Sequence, residues 1–269
     1  MKIEKNNGTI NAPKVDGDVD GENVNFGNQT IVYGGQDDTP IRLDPNPNAR
    51  VGFLDAGRVI GRDAMLADLH ETLRGQNSVA VTAVNGQGGV GKTTVARAYA
   101  QRYRDAYQGG LWCTAVSAQN IADGVKPFYA TWSGTQLPDA QTLPPSQAAQ
   151  ILDALPDTGK PWLLVLDNVV DYAAIQHMIP QNAPVHTLIT SRRTEGWGTI
   201  PCKNTDVLGT DGPDSDAVTL LIATKLNTDD PAQIAAERGS PAIDDIVGVA
   251  QDLGGLALAL VHAATLMAQ

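Results

Sequence analysis

The stretch Gly86-Gln87-Gly88-Gly89-Val90-Gly91-Lys92-Thr93-Thr94 decides the fold class of this chain. It fills the pattern G-x-x-x-x-G-K-[ST], in which the glycines let consecutive backbone N–H groups point at phosphate oxygens. Lys92 supplies a positive charge for the β- and γ-phosphates, and the Thr93 hydroxyl suits Mg²⁺. A β-branched run precedes the loop and a predicted helix follows it, which places the phosphates at a helix N-terminus. The pattern therefore predicts a binding loop for a nucleoside triphosphate.

The composition is that of an acidic globular protein. Of the 269 residues, 42% are hydrophobic, and the formal net charge is −11. This charge disfavours nonspecific binding to nucleic acid or to an anionic membrane, because both attract basic surfaces. The N-terminus lacks the apolar stretch of a signal peptide, and no run reaches the ~18 apolar residues of a membrane span. We therefore expect a cytoplasmic protein with neither nucleic acid nor a membrane as its partner.

Changes in composition divide the chain into three parts. Residues 1–50 form a leader and linker rich in Asn, Gly and Asp, 51–210 form the predicted nucleotide-binding domain, and 211–269 form a predicted helical subdomain. A helix with leucines at spacings of three and four begins near Asp63, which we predict as its N-cap.

Apolar runs alternate with helical patterns in the second part and give way to helical patterns in the third. The runs are 110–116, 162–167 and 185–190, and the later helical patterns are 217–225, 243–253 and 256–267. Near-continuous apolar strands are typical of a parallel sheet that is covered on both faces. The fold class is therefore predicted to be α/β, a P-loop NTPase with helices on both sides of a parallel sheet, followed by a small helical subdomain.

Two strand ends carry further candidate site residues. The run Leu163 to Leu166 leads into Asp167, whose carboxylate can hold a water ligand of an Mg²⁺ ion carried by Thr93. The next residue is Asn168, an amide that cannot accept a proton, so we expect at most slow Mg²⁺-dependent hydrolysis. The following strand ends in Thr190-Ser191-Arg192, and Arg192 is the candidate sensor of the γ-phosphate. An ordinary structural aspartate and a solvated loop arginine are the alternative interpretations.

Five motifs in this order resemble the NB-ARC nucleotide-binding domain of the STAND signalling ATPases, over about residues 55–269. Besides the phosphate loop and the two strand ends, Val59-Ile60-Gly61-Arg62 is similar to the element of that family whose backbone contacts adenine. Residues 254–260 are similar to its Gly-Leu-Pro-Leu-Ala-Leu signature, with Ala257 in place of the proline. The resemblance implies that the nucleotide is bound by Val59, Ile60, Gly61, Arg62, Gly86, Gly88, Gly89, Val90, Gly91, Lys92, Thr93, Thr94, Leu256 and Ala257.

The resemblance also implies a function. Members of the family switch between a closed ADP state and an open ATP state that assembles into an oligomer, in immune or cell-death signalling. ATP or ADP and Mg²⁺ are the implied cofactors, and a homo-oligomer is the implied active form. The family usually continues into a winged-helix domain and repeats, so we expect this sequence to be part of a longer protein.

The leader allows two interpretations. A disordered tail fits its polarity, whereas the alternation Val24-Asn25-Phe26 and the β-prone Thr30-Ile31-Val32-Tyr33 favour pairing into cross-β structure. This segment resembles the short Gly/Asn/Gln amyloid-signalling motifs of some fungal and bacterial STAND receptors, which implies a downstream effector sharing the motif. Other functions remain open at this point, namely an ordinary P-loop ATPase or kinase and a fibril-forming structural protein.

Overall fold

The structure is a computed structural model that describes residues 59–83, 88–133, 142–181 and 184–269, together with the backbone of five short leader strands. The side chains of the leader strands, of 81–83 and of 131–133 lie outside this description. The leader strands pair antiparallel, each with the next. They are β1 (Lys5–Asn6), β2 (Thr9–Ile10), β3 (Val24–Asn25), β4 (Gln29–Ile31) and β5 (Ile41–Leu43). Strands β3 and β4 overlap the two segments predicted to be β-prone, and the amyloid hypothesis stays a prediction.

The central sheet consists of five parallel strands within the described residues. They are β6 (Ser78–Ala83), β7 (Gly110–Thr114), β8 (Trp162–Val169), β9 (Val185–Ser191) and β10 (Cys202–Thr205). Their order across the sheet is β10-β6-β9-β8-β7, and every neighbouring pair is parallel. The predicted parallel sheet is therefore confirmed, with β10 as an edge strand that sequence reasoning missed.

Helices flank this sheet and follow it. They are α1 (Asp63–Gln76), α2 (Lys92–Arg102), α3 (Ala118–Ser133), α4 (Pro145–Asp153), α5 (Tyr172–Ile175), α6 (Asp216–Lys225), α7 (Pro231–Arg238), α8 (Ile243–Asp252) and α9 (Ala257–Met267). Short 3-10 turns lie at Arg104–Ala106 and Gln176–Met178. Across the described ranges, none of the helices combines the length and the apolar character that crossing a membrane requires.

Strand β8 explains why its sequence is apolar without interruption. Leu163 and Val165 pack in one hydrophobic cluster with α1 and α2, whereas Leu164 and Leu166 pack in a second cluster with α3 and α4. Because successive side chains of a strand point to opposite faces, both faces must be apolar when both are covered. The carboxyl ends of β8 and β9 then emerge side by side at one edge of the sheet, which is where the site lies.

The start of α1 differs from the prediction. Arg62, and not Asp63, is the N-cap residue, and it makes no capping hydrogen bond with its side chain. Asp63 is the first helical residue, where a negative charge is favoured by the helix dipole, and its carboxylate forms an ion pair with Arg102 of α2. The Arg62 side chain instead forms hydrogen bonds within the site.

The helices from α6 onward share a third hydrophobic cluster that includes Leu221, Ile246 and Leu260. Helix α7 was missed by sequence reasoning, although Asp230 and Pro231 form a regular helix start, with the Asp230 carboxylate accepting from the N–H of Ala232. The helical character of the third part is as predicted. The predicted boundary at 210 stays a prediction, and the boundary at 50 lies outside the described residues.

Candidate nucleotide-binding site

The phosphate loop lies between β6 and α2. Gly89 and Gly91 have φ angles of 81° and 98°, which are strained for any residue with a Cβ atom. Gly91 is the N-cap residue of α2, so the helix begins at Lys92 directly after the last turn of the loop. The local sequence thus produces the geometry that favours an anion at a helix N-terminus. Gly86, also predicted to belong to this loop, lies outside the described residues.

Two cationic side chains converge on the loop. Burial lowers the pKa of the Lys92 ammonium, and the positive charge of Arg192 lowers it further. The guanidinium of Arg192, at the end of β9, lies 3.9 Å from the point where a Cβ atom would stand at Gly88. Two positive charges brought together beside a glycine loop form a suitable environment for a polyanion. The sequence predicted both residues, and the parallel sheet brings them together.

A hydroxyl and a carboxylate meet beside these cations. The Thr93 hydroxyl of α2 donates a hydrogen bond of 2.9 Å to Oδ1 of Asp167 in β8. This contact joins the two residues predicted to hold Mg²⁺, one directly and one through water. Elsewhere in the described part of the chain, no cluster of three or more His, Cys, Asp or Glu side chains could hold a metal ion. A bound cation would therefore depend on this pair and on oxygens from its ligand.

These groups line a cavity of about 620 Å³, a volume within the usual range of small-molecule sites. Apart from the loop and the charged groups, the lining is largely apolar. The apolar lining residues outside the loop are Val59, Ile60, Val95, Leu208, Leu220, Ala257, Leu258 and Val261. Leu208 and Leu220 also belong to the third hydrophobic cluster and Ile60 packs against it, so this part of the wall is in contact with the core of the helical part. A polar end for phosphates and an apolar surface for a flat ring are the two features that a nucleotide requires.

The segment before α1 is fixed by contacts that the prediction did not specify. The Arg62 guanidinium donates hydrogen bonds to the backbone carbonyl oxygens of Val90 at 3.3 Å and of Asp206 at 2.6 Å. Arg62 therefore ties the phosphate loop to the chain after β10, in addition to lining the cavity. Gly61, predicted to contact the nucleotide, does not line the cavity. It has a φ of 70° and lies against the carboxylate of Asp216, which leaves no room for a Cβ atom.

The start of α9 closes directly on the phosphate loop. The backbone N–H of Leu258 donates a hydrogen bond of 3.0 Å to the carbonyl oxygen of Gly89. Ala257, at the position of the family's proline, lines the cavity. Leu256 does not line it, and its methyl carbons lie 3.6 Å from the Cβ position of Gly89. Of the two residues predicted from the fifth motif, Ala257 lines the cavity and Leu256 does not, and Leu258 lines it in addition.

A glycine makes this approach possible. At Gly255, which has a φ of 67°, an added Cβ atom would stand 1.9 Å from the carbonyl oxygen of Leu208. The Gly255 carbonyl in turn accepts a hydrogen bond of 2.9 Å from the N–H of Leu208. The chain after β10 and the start of α9 are thus in backbone contact, which a larger residue at 255 would prevent.

The structure brings most of the predicted residues together around the cavity. Those in its lining are Val59, Ile60, Arg62, Gly88, Gly89, Val90, Gly91, Lys92, Thr93, Thr94, Asp167, Arg192 and Ala257. Sequence reasoning missed five lining residues outside the predicted motifs, Val95, Thr114, Leu208, Leu220 and Val261. Thr114 lies near the end of the predicted strand 110–116 and is the last residue of β7, a signal that could have been used. Leu208 and Leu220 carry no local signal, because their position depends on the path of the chain.

Fold and site together define a P-loop nucleotide-binding protein. Residues 62–207 match the family model of the NB-ARC domain. Because this match spans more than half of the chain, the chain belongs to the NB-ARC domain family. The predicted resemblance is confirmed, and with it membership of a family of nucleotide-binding signalling switches. No curated relative matches the sequence.

Several solved structures are similar to this chain at low sequence identity and with TM-scores below 0.5. The ORC2 protein of Aeropyrum pernix, solved as ADPNP-ADP complexes, is 11% identical, with 81% of this chain and 71% of that chain covered and a TM-score of 0.44. A Walker-type ATPase of Pyrococcus abyssi is 13% identical, with coverages of 76% and 66% and a TM-score of 0.48. A STAND protein with a tetratricopeptide repeat sensor from Pyrococcus horikoshii is 16% identical, with a TM-score of 0.41. The comparison with the STAND protein covers 78% of this chain and 30% of the STAND protein's chain.

Proposed function

We propose that this protein is an ATP/ADP switch in which the bound nucleotide sets the position of the helical part, and that the ATP-bound form assembles into a homo-oligomer that signals to an effector. The main support for the proposal is that two parts of the chain, the sheet part and the helical part, form the cavity wall. Lys92, Thr93 and Arg192 come from the sheet part, while Ala257, Leu258 and Val261 come from α9. A ligand that contacts both parts binds their two relative positions with different affinity, which is the condition for a switch.

Each residue of the site has a proposed role in nucleotide binding that follows from its chemistry. Lys92 and the loop would bind the β- and γ-phosphates, and Thr93 with Asp167 would hold Mg²⁺, which neutralises phosphate charge when bound. Arg192 lies at the loop and would contact the γ-phosphate that distinguishes ATP from ADP. The position after Asp167 is the amide Asn168, which supports slow turnover and hence a long-lived ATP state rather than an ordinary ATPase.

The first test is the variant Arg192→Ala. We expect ADP affinity to stay within about twofold of the wild type, and ATP affinity to fall by about three- to tenfold, because an exposed cation contributes a partly screened contact to one phosphate. The variant should also lose ATP-dependent assembly. Calorimetry measures the two affinities, and light scattering measures the mass in solution with each nucleotide.

Arg193→Ala is the matched control, because Arg193 is the exposed neighbour of Arg192 and is not part of the cavity lining. Its ATP affinity and its assembly should equal those of the wild type. An equal loss of ADP and ATP affinity in Arg192→Ala would show that the arginine is structural. A wild-type mass that is the same with both nucleotides would contradict the switch.

The leader is the part that we propose is clustered by assembly. Its strands are two or three residues long, as in β3 and β4, which is too short for independent stability in water. Assembly raises the local concentration of leaders to about the millimolar range, where strands of different copies can pair without any new contact in the nucleotide domain. An effector carrying a similar segment could then be recruited by the same backbone pairing.

The variant Ile31→Pro tests this role. Ile31 pairs with Val24 in β3 and with Ile41 in β5, and proline removes one ladder donor from the strand. We expect ATP-dependent thioflavin fluorescence to be lost, while ATP affinity and ATP-dependent mass stay unchanged. Gln36→Pro, placed in the sequence between β4 and β5, is the control and should keep the fluorescence. If Ile31→Pro gives the wild-type fluorescence, the leader is a linker or a lid.

A further inference from the structure

Strand β8 contains a bulge at the site. Leu166 pairs with Ile189 and Val169 pairs with Ser191, so Asp167 and Asn168 together face the single residue Thr190 of β9. Asn168 has a φ of 65°, the left-handed conformation that a non-glycine residue rarely adopts. Bulges of this type re-aim a neighbouring side chain and persist only when surrounding contacts hold them. The contacts that hold this one come from β9.

Two buried hydroxyls of β9 hold the bulge from opposite sides. The Thr190 hydroxyl accepts the N–H of Asn168 at 2.9 Å and donates to Oδ1 of Asp167 at 2.5 Å. The Ser191 hydroxyl donates to the carbonyl oxygen of Val169 at 2.7 Å. Thr190 and Ser191 are 2% and 1% exposed, so water does not substitute for these bonds. The backbone of the bulge and the Asp167 carboxylate therefore share one supporting residue, Thr190.

Oδ1 of Asp167 accepts hydrogen bonds from two hydroxyls, those of Thr93 and Thr190. The two donors differ in what they would do when a cation is bound. Thr93 belongs to the phosphate loop motif, and its oxygen would turn to a bound cation. The Thr190 hydroxyl donates to Asp167 and accepts the N–H of Asn168, so both of its hydrogen-bonding roles are already filled within the protein. With a cation present, Thr190 is the protein donor that would keep the carboxylate in place.

We propose that Thr190 is the positioning residue for Asp167, and that its hydroxyl sets how strongly Mg²⁺ increases the affinity for nucleotide. This inference rests on the proposed function, since it assumes that Asp167 faces a nucleotide-bound cation. Outer-shell hydrogen-bond partners at a metal site are typically worth about ten- to a hundredfold in metal affinity. Nucleotide contacts that do not involve the cation depend on the loop and on the apolar wall. Thr190 also lines the cavity, but its hydroxyl is occupied by Asp167 and Asn168.

The test is Thr190→Val, which keeps the size and the β-branched shape of the side chain and removes the hydroxyl. ADP and ATP affinities are measured by calorimetry with Mg²⁺ and again with EDTA. The expected result is an affinity in EDTA equal to that of the wild type, and a loss of about tenfold in the presence of Mg²⁺. Thr190→Ser retains the hydroxyl and should restore the Mg²⁺ effect. If Thr190→Val does not fold, Thr190→Ala repeats the test without the added methyl group.

Thr187→Val is the matched control. Thr187 is also buried in β9, and its hydroxyl has no hydrogen-bond partner among the described residues. This variant should show the wild-type affinities in both conditions. A Thr190→Val protein whose Mg²⁺ effect equals that of the wild type overturns the inference and leaves the nucleotide function intact. Equal losses with Mg²⁺ and with EDTA would also overturn it, because they indicate a general structural role. A wild type that binds no nucleotide would contradict the proposed function itself.

Discussion

Lys92→Ala is expected to lower the affinity for ATP by at least about a hundredfold and that for ADP by at least about tenfold, because charge-assisted bonds to phosphate are each worth about 1.5–3 kcal/mol and ADP lacks the γ-phosphate. The fold should be retained. Lys92 is the first residue of α2, where alanine is a better helix former, and the hydrophobic cluster beneath the helix is untouched. Calorimetry measures the affinities, and thermal unfolding without nucleotide measures the stability.

Two further variants separate the charge of Lys92 from its packing. Lys92→Met keeps a long side chain and removes the charge, so it should lose as much affinity as Lys92→Ala. Lys160→Ala removes the same charge from an exposed position outside the cavity lining, and should bind as the wild type does. Unchanged ATP affinity in Lys92→Ala would contradict the assignment of the phosphate loop.

Leu258→Pro is expected to increase the dissociation rate of bound ADP by at least about tenfold. Proline removes the N–H that donates to the carbonyl of Gly89, which is the hydrogen bond joining α9 to the phosphate loop. Position 258 lies in the first turn of α9, where N–H groups have no partner within the helix, so the helix itself tolerates proline. Loss of the contact frees the helical part to move away and opens the cavity. Displacement of a fluorescent ADP analogue measures the rate.

Neighbouring variants serve as controls for this effect. Leu258→Ala keeps the N–H and removes only a side chain of the apolar wall, so it should accelerate dissociation less than Leu258→Pro does. Ala257→Pro introduces a proline at the first helical residue, where the preceding Leu256 already has the extended conformation that a following proline requires. It keeps the Leu258 N–H and should not accelerate dissociation. Fast release from both proline variants would assign the effect to disruption of α9 rather than to the lost hydrogen bond.

Local patterns predicted the phosphate loop, the apolar strands and most of the helices. A glycine-rich loop between a strand and a helix has few possible geometries, and an apolar run such as that of β8 can be satisfied only when both faces of the sheet are covered. The polar strand β10 escaped prediction because its sequence, Cys202–Thr205, carries no apolar alternation. It is a strand because β6 offers it backbone partners.

The site, like the fold, combines features that local motifs predict with features that depend on contacts between distant segments. Motifs a few residues long identify the groups that are present for a nucleotide, namely Lys92, Thr93, Asp167 and Arg192. How these groups are held depends on the tertiary fold. The bulge supported by Thr190 and the bond from Leu258 to the phosphate loop join segments that are distant in sequence, and such contacts depend on strand register and chain path. These quantities follow from the packing of the whole domain, and no local pattern encodes them.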